Sequence, residues 1–278
     1  MLKSPDAELA TDALEQKARW LRRQTLEMIA TGGKGHIGGS FSCMDILTTL
    51  YYGGILAHHP GEPRWEERDR LILSKGHGVL GIYPLLADRG FFSLADVPGF
   101  TSEGSRLGGH PDHNIPGIEV ISGSLGHGLS VGAGIALGGK RHGARFRTAV
   151  LLGDGECHEG SVWEAAMFAA HYRLDNLVAI VDSNGICATG FLDQCLRLEP
   201  LDEKWRAFDW DVETVDGHAF PELLTTLRRA WSRTDGKPLV IIARTVKGRG
   251  VSFMENNPGW HHAVPKGEHL AKARQELA

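Results

Sequence analysis

Thr148-Ala149-Val150-Leu151-Leu152-Gly153-Asp154-Gly155-Glu156 is the stretch that decides the fold. Its first half runs apolar without alternation, as a strand does when both faces of a parallel sheet are covered. It then breaks on two glycines flanking an aspartate. Leu177-Val178-Ala179-Ile180-Val181 and Leu239-Val240-Ile241-Ile242-Ala243 have the same character, and Arg70-Leu71-Ile72-Leu73-Ser74 reads as a shorter buried strand. Helical patterns over Ser161 to Ala170 and Pro221 to Ser232 fall between these runs. Alternating strands and helices predict an α/β fold, a mostly parallel sheet with helices on both faces. Upstream, residues 9–31 read as an amphipathic helix ending at Gly32-Gly33, and Met44 to Tyr52 as another. No repeat, low-complexity tract or linker divides the chain, so residues 1–278 are expected to form a single domain, with 255–278 as a peripheral tail.

Composition narrows function by exclusion. The 30 basic and 34 acidic residues leave a formal charge of −4, which supplies neither a nucleic-acid-binding field nor a polybasic membrane patch. No window approaches the ~20 apolar residues of a membrane helix. Cys43, Cys157, Cys187 and Cys195 form no CxxC pair and no signal segment precedes them, which points to a reducing cytoplasm. Small molecules and protein remain as partners.

In an open α/β sheet, ligands sit beyond the carboxyl ends of the strands, and glycines there let the backbone approach them. Gly153-Asp154-Gly155 stands at one such end and Asp182-Ser183-Asn184-Gly185-Ile186 at the next, with Asn184 thirty positions after Asp154. A carboxylate and an amide oxygen from neighbouring strand ends suit a hard ion such as Mg²⁺, or another divalent cation such as Ca²⁺, carrying a diphosphate. Either motif alone reads as an ordinary tight turn, and it is the two together at neighbouring strand ends that point to a site.

The pair resembles the signature of thiamin diphosphate enzymes, and the longer stretches GDGECHEGSVWEA and VDSNGI are similar to the transketolase family. That resemblance covers roughly residues 20 to 265. It implies the thiamin diphosphate-binding fold, with Asp154, Asn184 and the carbonyl of Ile186 as metal ligands and Gly155 on the diphosphate. Histidines in glycine-rich loops extend the likeness. His36 and His110 correspond to contacts with sugar hydroxyls, and His77 to one near the diphosphate. Gly123-Ser124-Leu125 corresponds to the loop against the aminopyrimidine, although Ser124 stands where proline is frequent and His127 where glutamine is. In Trp260-His261-His262, His262 is expected to be shared between diphosphate and substrate, with His261 as its competitor. Thr245 to Gly250 forms a further loop near the cofactor. Glu159 and Glu164 match acidic positions that meet a neighbouring subunit, with Glu159 also expected among the cofactor-binding residues, and they as readily read as a helix first-turn charge and a solvated one.

The resemblance also implies what this chain lacks. The family's pyrimidine-binding domain, with the glutamate that drives deprotonation of the thiazolium, and its C-terminal domain are absent from a chain that stops at Ala278. The expectation is an N-terminal transketolase subunit that works with a C-terminal partner subunit, in an α₂β₂ or homodimeric core. It would move a two-carbon ketol group from a ketose to an aldose, phosphorylated or not. The alternatives are a deoxyxylulose-phosphate synthase-like or dehydrogenase E1-like subunit, or a non-catalytic cofactor-binding subunit.

Overall fold

The computed structural model describes residues 8–278. Helix α1 (Thr11–Gly32) leads into two short helices, α2 (Ile37–Ser42) and α3 (Met44–Tyr52), before strand β1 (Arg70–Leu73). Helices α4 (Val79–Asp88) and α5 (His127–Arg141) precede β2 (Thr148–Gly153). Then come α6 (Gly160–His171), β3 (Leu177–Ser183), α7 (Leu192–Cys195), α8 (Leu201–Ala207) and β4 (Asp211–Asp216). Helix α9 (Phe220–Ser232), β5 (Leu239–Arg244) and α10 (Gly267–Glu276) complete the chain.

The strands form one sheet in the order β1-β2-β3-β5-β4, every neighbouring pair parallel. Alternate residues of each strand enter opposite cores, as pleating requires. Leu151, Ile180 and Ile241 face the core made with α1, α3, α4 and α9. Val150, Ala179, Val240 and Ile242 face the one made with α5, α6 and α8. The expected α/β fold with helices on both faces is what the chain adopts.

Several elements lay beyond the sequence pattern. Strand β4 is an edge strand with only Val215 buried, so its polar residues hide the period of a covered strand. Helix α5 carries glycines that normally argue against a helix. Two of them are required by packing: a Cβ on Gly128 would lie 2.3 Å from the Ser74 hydroxyl, and one on Gly132 would lie 2.4 Å from Val150. Helix α10 seats Ala273 and Leu277 in the core beside α1.

One buried ion pair anchors the helical layer. Arg22 of α1 donates to both carboxylate oxygens of Asp45 on α3, at 2.8 and 2.7 Å, and also to the Phe41 carbonyl. Burial opposes ionisation of Asp45, but Arg22 and His218 together outweigh it and hold the carboxyl below its usual range. A depressed folded-state value means the pair stabilises above the unfolded carboxyl value, about 3.9, and that this stability is lost as pH falls through the folded value. Asp45→Asn leaves a buried guanidinium uncompensated and should cost about 3–5 kcal/mol in urea unfolding. It should also flatten the acid limb of stability; a loss below about 1 kcal/mol would show that the pair is not an anchor.

Candidate cofactor site at the carboxyl edge of the sheet

At the carboxyl edge of the sheet, the chain leaves β3 toward one core, where Cys187 and Leu192 pack, and leaves β5 toward the other, where Val251 and Met254 pack. A crevice between adjacent strands with diverging exits is where open α/β sheets bind ligands. Register brings Gly153 beside Asp182 and Asp182 beside Ala243. Asp154, Asn184 and Thr245 therefore follow from three adjacent strand ends.

Asp154 is 3% exposed. Its carboxylate accepts from the N–H groups of Gly155 at 2.7 Å and Gly185 at 2.5 Å, so it bridges two strand ends. Burial pushes its carboxyl up to about 6. Asn184 accepts from the Ile186 N–H at 3.1 Å, and its amide approaches Ser42 and Asp182. The Ile186 carbonyl accepts from the Lys247 ammonium at 2.8 Å. Asp154, Asn184 and Ile186 thus share one corner, with a cation already drawn to it.

Four residues form the floor: Lys75 and Ser42, which the sequence reading did not single out, and Asp182 and Thr245, which it quoted within a strand end and a loop without giving them a role. Lys75 pairs with Asp182 and donates to the Gly39 carbonyl at 2.8 Å, while Ser42 and Thr245 donate to Asp182 at 2.6 and 2.5 Å. Burial works against both charges of the Lys75–Asp182 pair, but each ion keeps the other charged. Glu156 ties neighbouring loops together by accepting from Ser74, from Gly126 N–H at 2.9 Å and from Gly153 N–H at 3.0 Å.

The histidines converge above this floor. The ring of His36 lies 5.4 Å from His77, 6.3 Å from His110, 5.4 Å from His261 and 4.5 Å from His262. Close backbone packing places them. A Cβ on Gly38 would meet the Trp260 carbonyl at 2.7 Å, and one on Gly123, whose φ is +153°, would meet His110 at 3.0 Å. Gly123 thus packs directly against His110. Burial, then neighbouring positive groups, lowers His36 to about 4 and His261 to about 3, and lowers His77 as well. These imidazoles are neutral at physiological pH and each offers one donor and one acceptor.

The adjacent histidines separate in role. His261 is half-buried, 5.4 Å from His77, with its Nδ1 buried and unpartnered. His262 is exposed at the rim. Glu159 and Glu164 are exposed, Glu159 just before α6 and Glu164 on it, and a Cβ on Gly126 would lie 2.6 Å from Glu159, which puts that residue against the end of the 123–126 loop.

The donor set fits a metal-bound anionic group. Among the described residues Lys247 is a buried ammonium with no carboxylate in ion-pair contact, and burial, then Lys75, lowers it to about 8. An anion in the crevice would satisfy both Lys247 and the orphaned His261 Nδ1. No group of three or more His, Cys, Asp or Glu among the described residues is placed to hold a metal. A metal here would instead take the mixed set of carboxylate, amide and carbonyl oxygens, which suits a hard divalent ion.

Residues 14–278 match the family described as "Transketolase, thiamine diphosphate binding domain". The chain is 41% identical over 270 residues to an apulose-4-phosphate transketolase subunit from Phocaeicola vulgatus, covering 97% of this chain and 95% of that one. It is 40% identical over 250 residues to a 6-deoxy-6-sulfo-D-fructose transketolase subunit from a Clostridium species, covering 90% of each. Among solved structures, transketolase from Campylobacter jejuni superposes with a TM-score of 0.90 at 30% identity, over 97% of this chain. This chain spans 43% of that one.

Behind the 245–250 loop, His218 accepts from the Val246 N–H through Nε2 at 2.8 Å and contacts Asp45 through Nδ1 at 2.6 Å. Because Nε2 accepts, the ring proton lies on Nδ1 and is donated to Asp45. The only sequence signal was the turn Asp216-Gly217-His218 after β4. His218→Ala should raise the exchange rate of the Val246 amide by about tenfold or more. Unchanged protection would remove His218 from the support of Lys247.

Proposed function

This chain belongs to the transketolase family, and we propose that it is the cofactor-holding subunit of a two-chain transketolase that moves a two-carbon ketol group from a ketose to an aldose. The observation that carries this is the meeting, at one sheet edge, of an oxygen corner, an unpaired buried ammonium and a wall of neutral imidazoles. Thiamin diphosphate supplies the electron sink that allows a carbon–carbon bond beside a ketone to break.

The chain's own residues bind and orient. Asp154, Asn184 and the Ile186 carbonyl would hold Mg²⁺ or a similar divalent ion. Lys247, His77, His261 and the Gly155 amide would hold the diphosphate, and Gly123 to Leu125 would meet the ring system. Of the His261–His262 pair, the inner ring suits the diphosphate and the outer one the sugar. His36, His110 and His262 would meet the sugar, whose hydroxyls need the hydrogen-bonding capacity that grouped imidazoles offer.

The partner would be a C-terminal subunit carrying the pyrimidine-binding domain, a reading supported by relatives that are themselves named as transketolase subunits. Exposed apolar residues on and just after α5 and α6, Val131, Met167, Phe168 and Tyr172, support such a contact. Relatives named for different sugars leave a ketose and an aldose, phosphorylated or otherwise substituted, as the substrate class. No described helix is long and apolar enough to cross a membrane. The cysteine usage supports a cytoplasmic setting.

Reconstitution with the partner should give ketol transfer between a ketose and an aldose but no turnover of pyruvate. Calorimetry should show that Asp154→Ala abolishes Mg²⁺-dependent thiamin diphosphate binding. A chain that binds the cofactor equally well without Asp154 would overturn the site. His36→Ala should lower kcat with sugars by roughly a hundredfold while leaving cofactor affinity within about twofold. Normal kinetics would take His36 out of the sugar site.

A further inference from the structure

Two of the four thiols are placed to react with each other. Cys43 and Cys157 are shut inside the two cores at 0% and 1% exposure. Cys187 is half-buried and Cys195 exposed, and their sulfurs lie 3.3 Å apart. The Thr189 hydroxyl stands 3.3 Å from each of them.

A tight reversal of the chain after β3 produces this proximity. Ile186 bridges Phe191 antiparallel, Cys187 N–H donates to the Gly190 carbonyl at 2.9 Å, and Leu192 N–H donates to the Gly185 carbonyl at 2.9 Å. The single turn of α7 then carries Cys195 back over Cys187, with Cys195 N–H bonded to the Phe191 carbonyl at 3.1 Å. At the tip, Gly190 has φ +155°, and a Cβ there would come within 3.8 Å of the Cys195 sulfur. A disulfide needs about 2.05 Å between sulfurs. Rotation of the exposed Cys195 side chain is the movement that would close that gap.

We propose that Cys187 and Cys195 form a reversible dithiol–disulfide site, oxidised by a small-molecule disulfide of the glutathione class, and that oxidation clamps the loop 185–195. Cys195, the more exposed, attacks one sulfur of the small disulfide, and the first small thiol departs with the Cys195 proton. Cys187 then attacks the Cys195 sulfur of the mixed disulfide, and the second small thiol departs with the Cys187 proton. Two electrons pass to the small disulfide and the protein loses two hydrogens. In a reducing compartment such bonds are transient and report redox state. The inference does not depend on the function proposed above. Its bearing on that function is positional, since Ile186, whose carbonyl holds Lys247, lies at the base of the clamped loop.

The full chain should be incubated with glutathione disulfide, alkylated, digested and weighed. The expected product joins the peptides of Cys187 and Cys195 with the loss of two hydrogens, and reduced glutathione reverses it. Cys43 and Cys157 should be alkylated only after unfolding. Cys187→Ser should instead keep a stable glutathione adduct on Cys195. Such an adduct on the unsubstituted chain, free thiols at both positions, or a bond to any other cysteine would overturn the site. Amide exchange over residues 185–192 should slow severalfold on oxidation, and equal exchange in both states would overturn the clamp.

Discussion

The buried pair between Lys75 and Asp182 is the contact on which the carboxyl edge of the sheet depends. Its side chains are 1% and 0% exposed, so both ions have left water and each remaining hydrogen-bonding position must be filled. The Gly39 carbonyl takes a second Lys75 proton, and the Ser42 and Thr245 hydroxyls and the Asn184 amide donate to Asp182. The pair thereby pins the segment after β1, the end of β3, helix α2 and the segment after β5 to one point. An apolar pair of similar volume could stabilise the fold as well, since buried ion pairs often add little net stability. It could not specify where four separate segments meet.

Above that pinned floor the electrostatics have a direction. Lys75 and Asp182 cancel, and Asp154 stands near Lys247 without contacting it closely enough to form an ion pair. Crowding positive groups and burial keep His36, His77 and His261 uncharged, so the wall adds hydrogen-bonding capacity but no net charge. A crevice of this kind suits a ligand that is itself nearly neutral overall yet carries separated charges. A diphosphate bound to a divalent cation meets that description: the anion answers Lys247 and the orphaned His261 nitrogen, and the cation answers the oxygen corner.

The sheet was legible from sequence because its central strands are covered on both faces, which leaves uninterrupted apolar runs at 148–152, 177–181 and 239–243. Strand β4 was not, because an edge strand shows polar residues to solvent. Helix α5 was obscured by glycines whose reason is packing on Ser74 and Val150, a property of the assembled fold. The candidate site divides in the same way. Residues at strand ends and in glycine-rich loops carried local signals, whereas Lys75, Ser42, Asp182 and Thr245 matter through contacts spanning up to 140 positions. A lysine after a strand looks like any solvated lysine until its counter-ion is known. The His261–His262 pair shows the same limit: adjacent positions are equivalent in sequence, and only the path of the chain turns one ring inward.

Fold stability and site geometry are not independent here, because Asp45 serves both. Its carboxylate takes Arg22 from α1 and the Nδ1 proton of His218, and His218 in turn holds the Val246 amide one residue before Lys247. A change at Asp45 therefore frees a buried guanidinium and releases the loop together, and its effects on folding and on ligand binding cannot be told apart. His218 separates them, since it touches the loop but leaves the Arg22–Asp45 contact intact. The position of the Lys247 ammonium is thus tied to an ion pair in the helical layer on which its loop packs, through one imidazole whose tautomer both neighbours dictate.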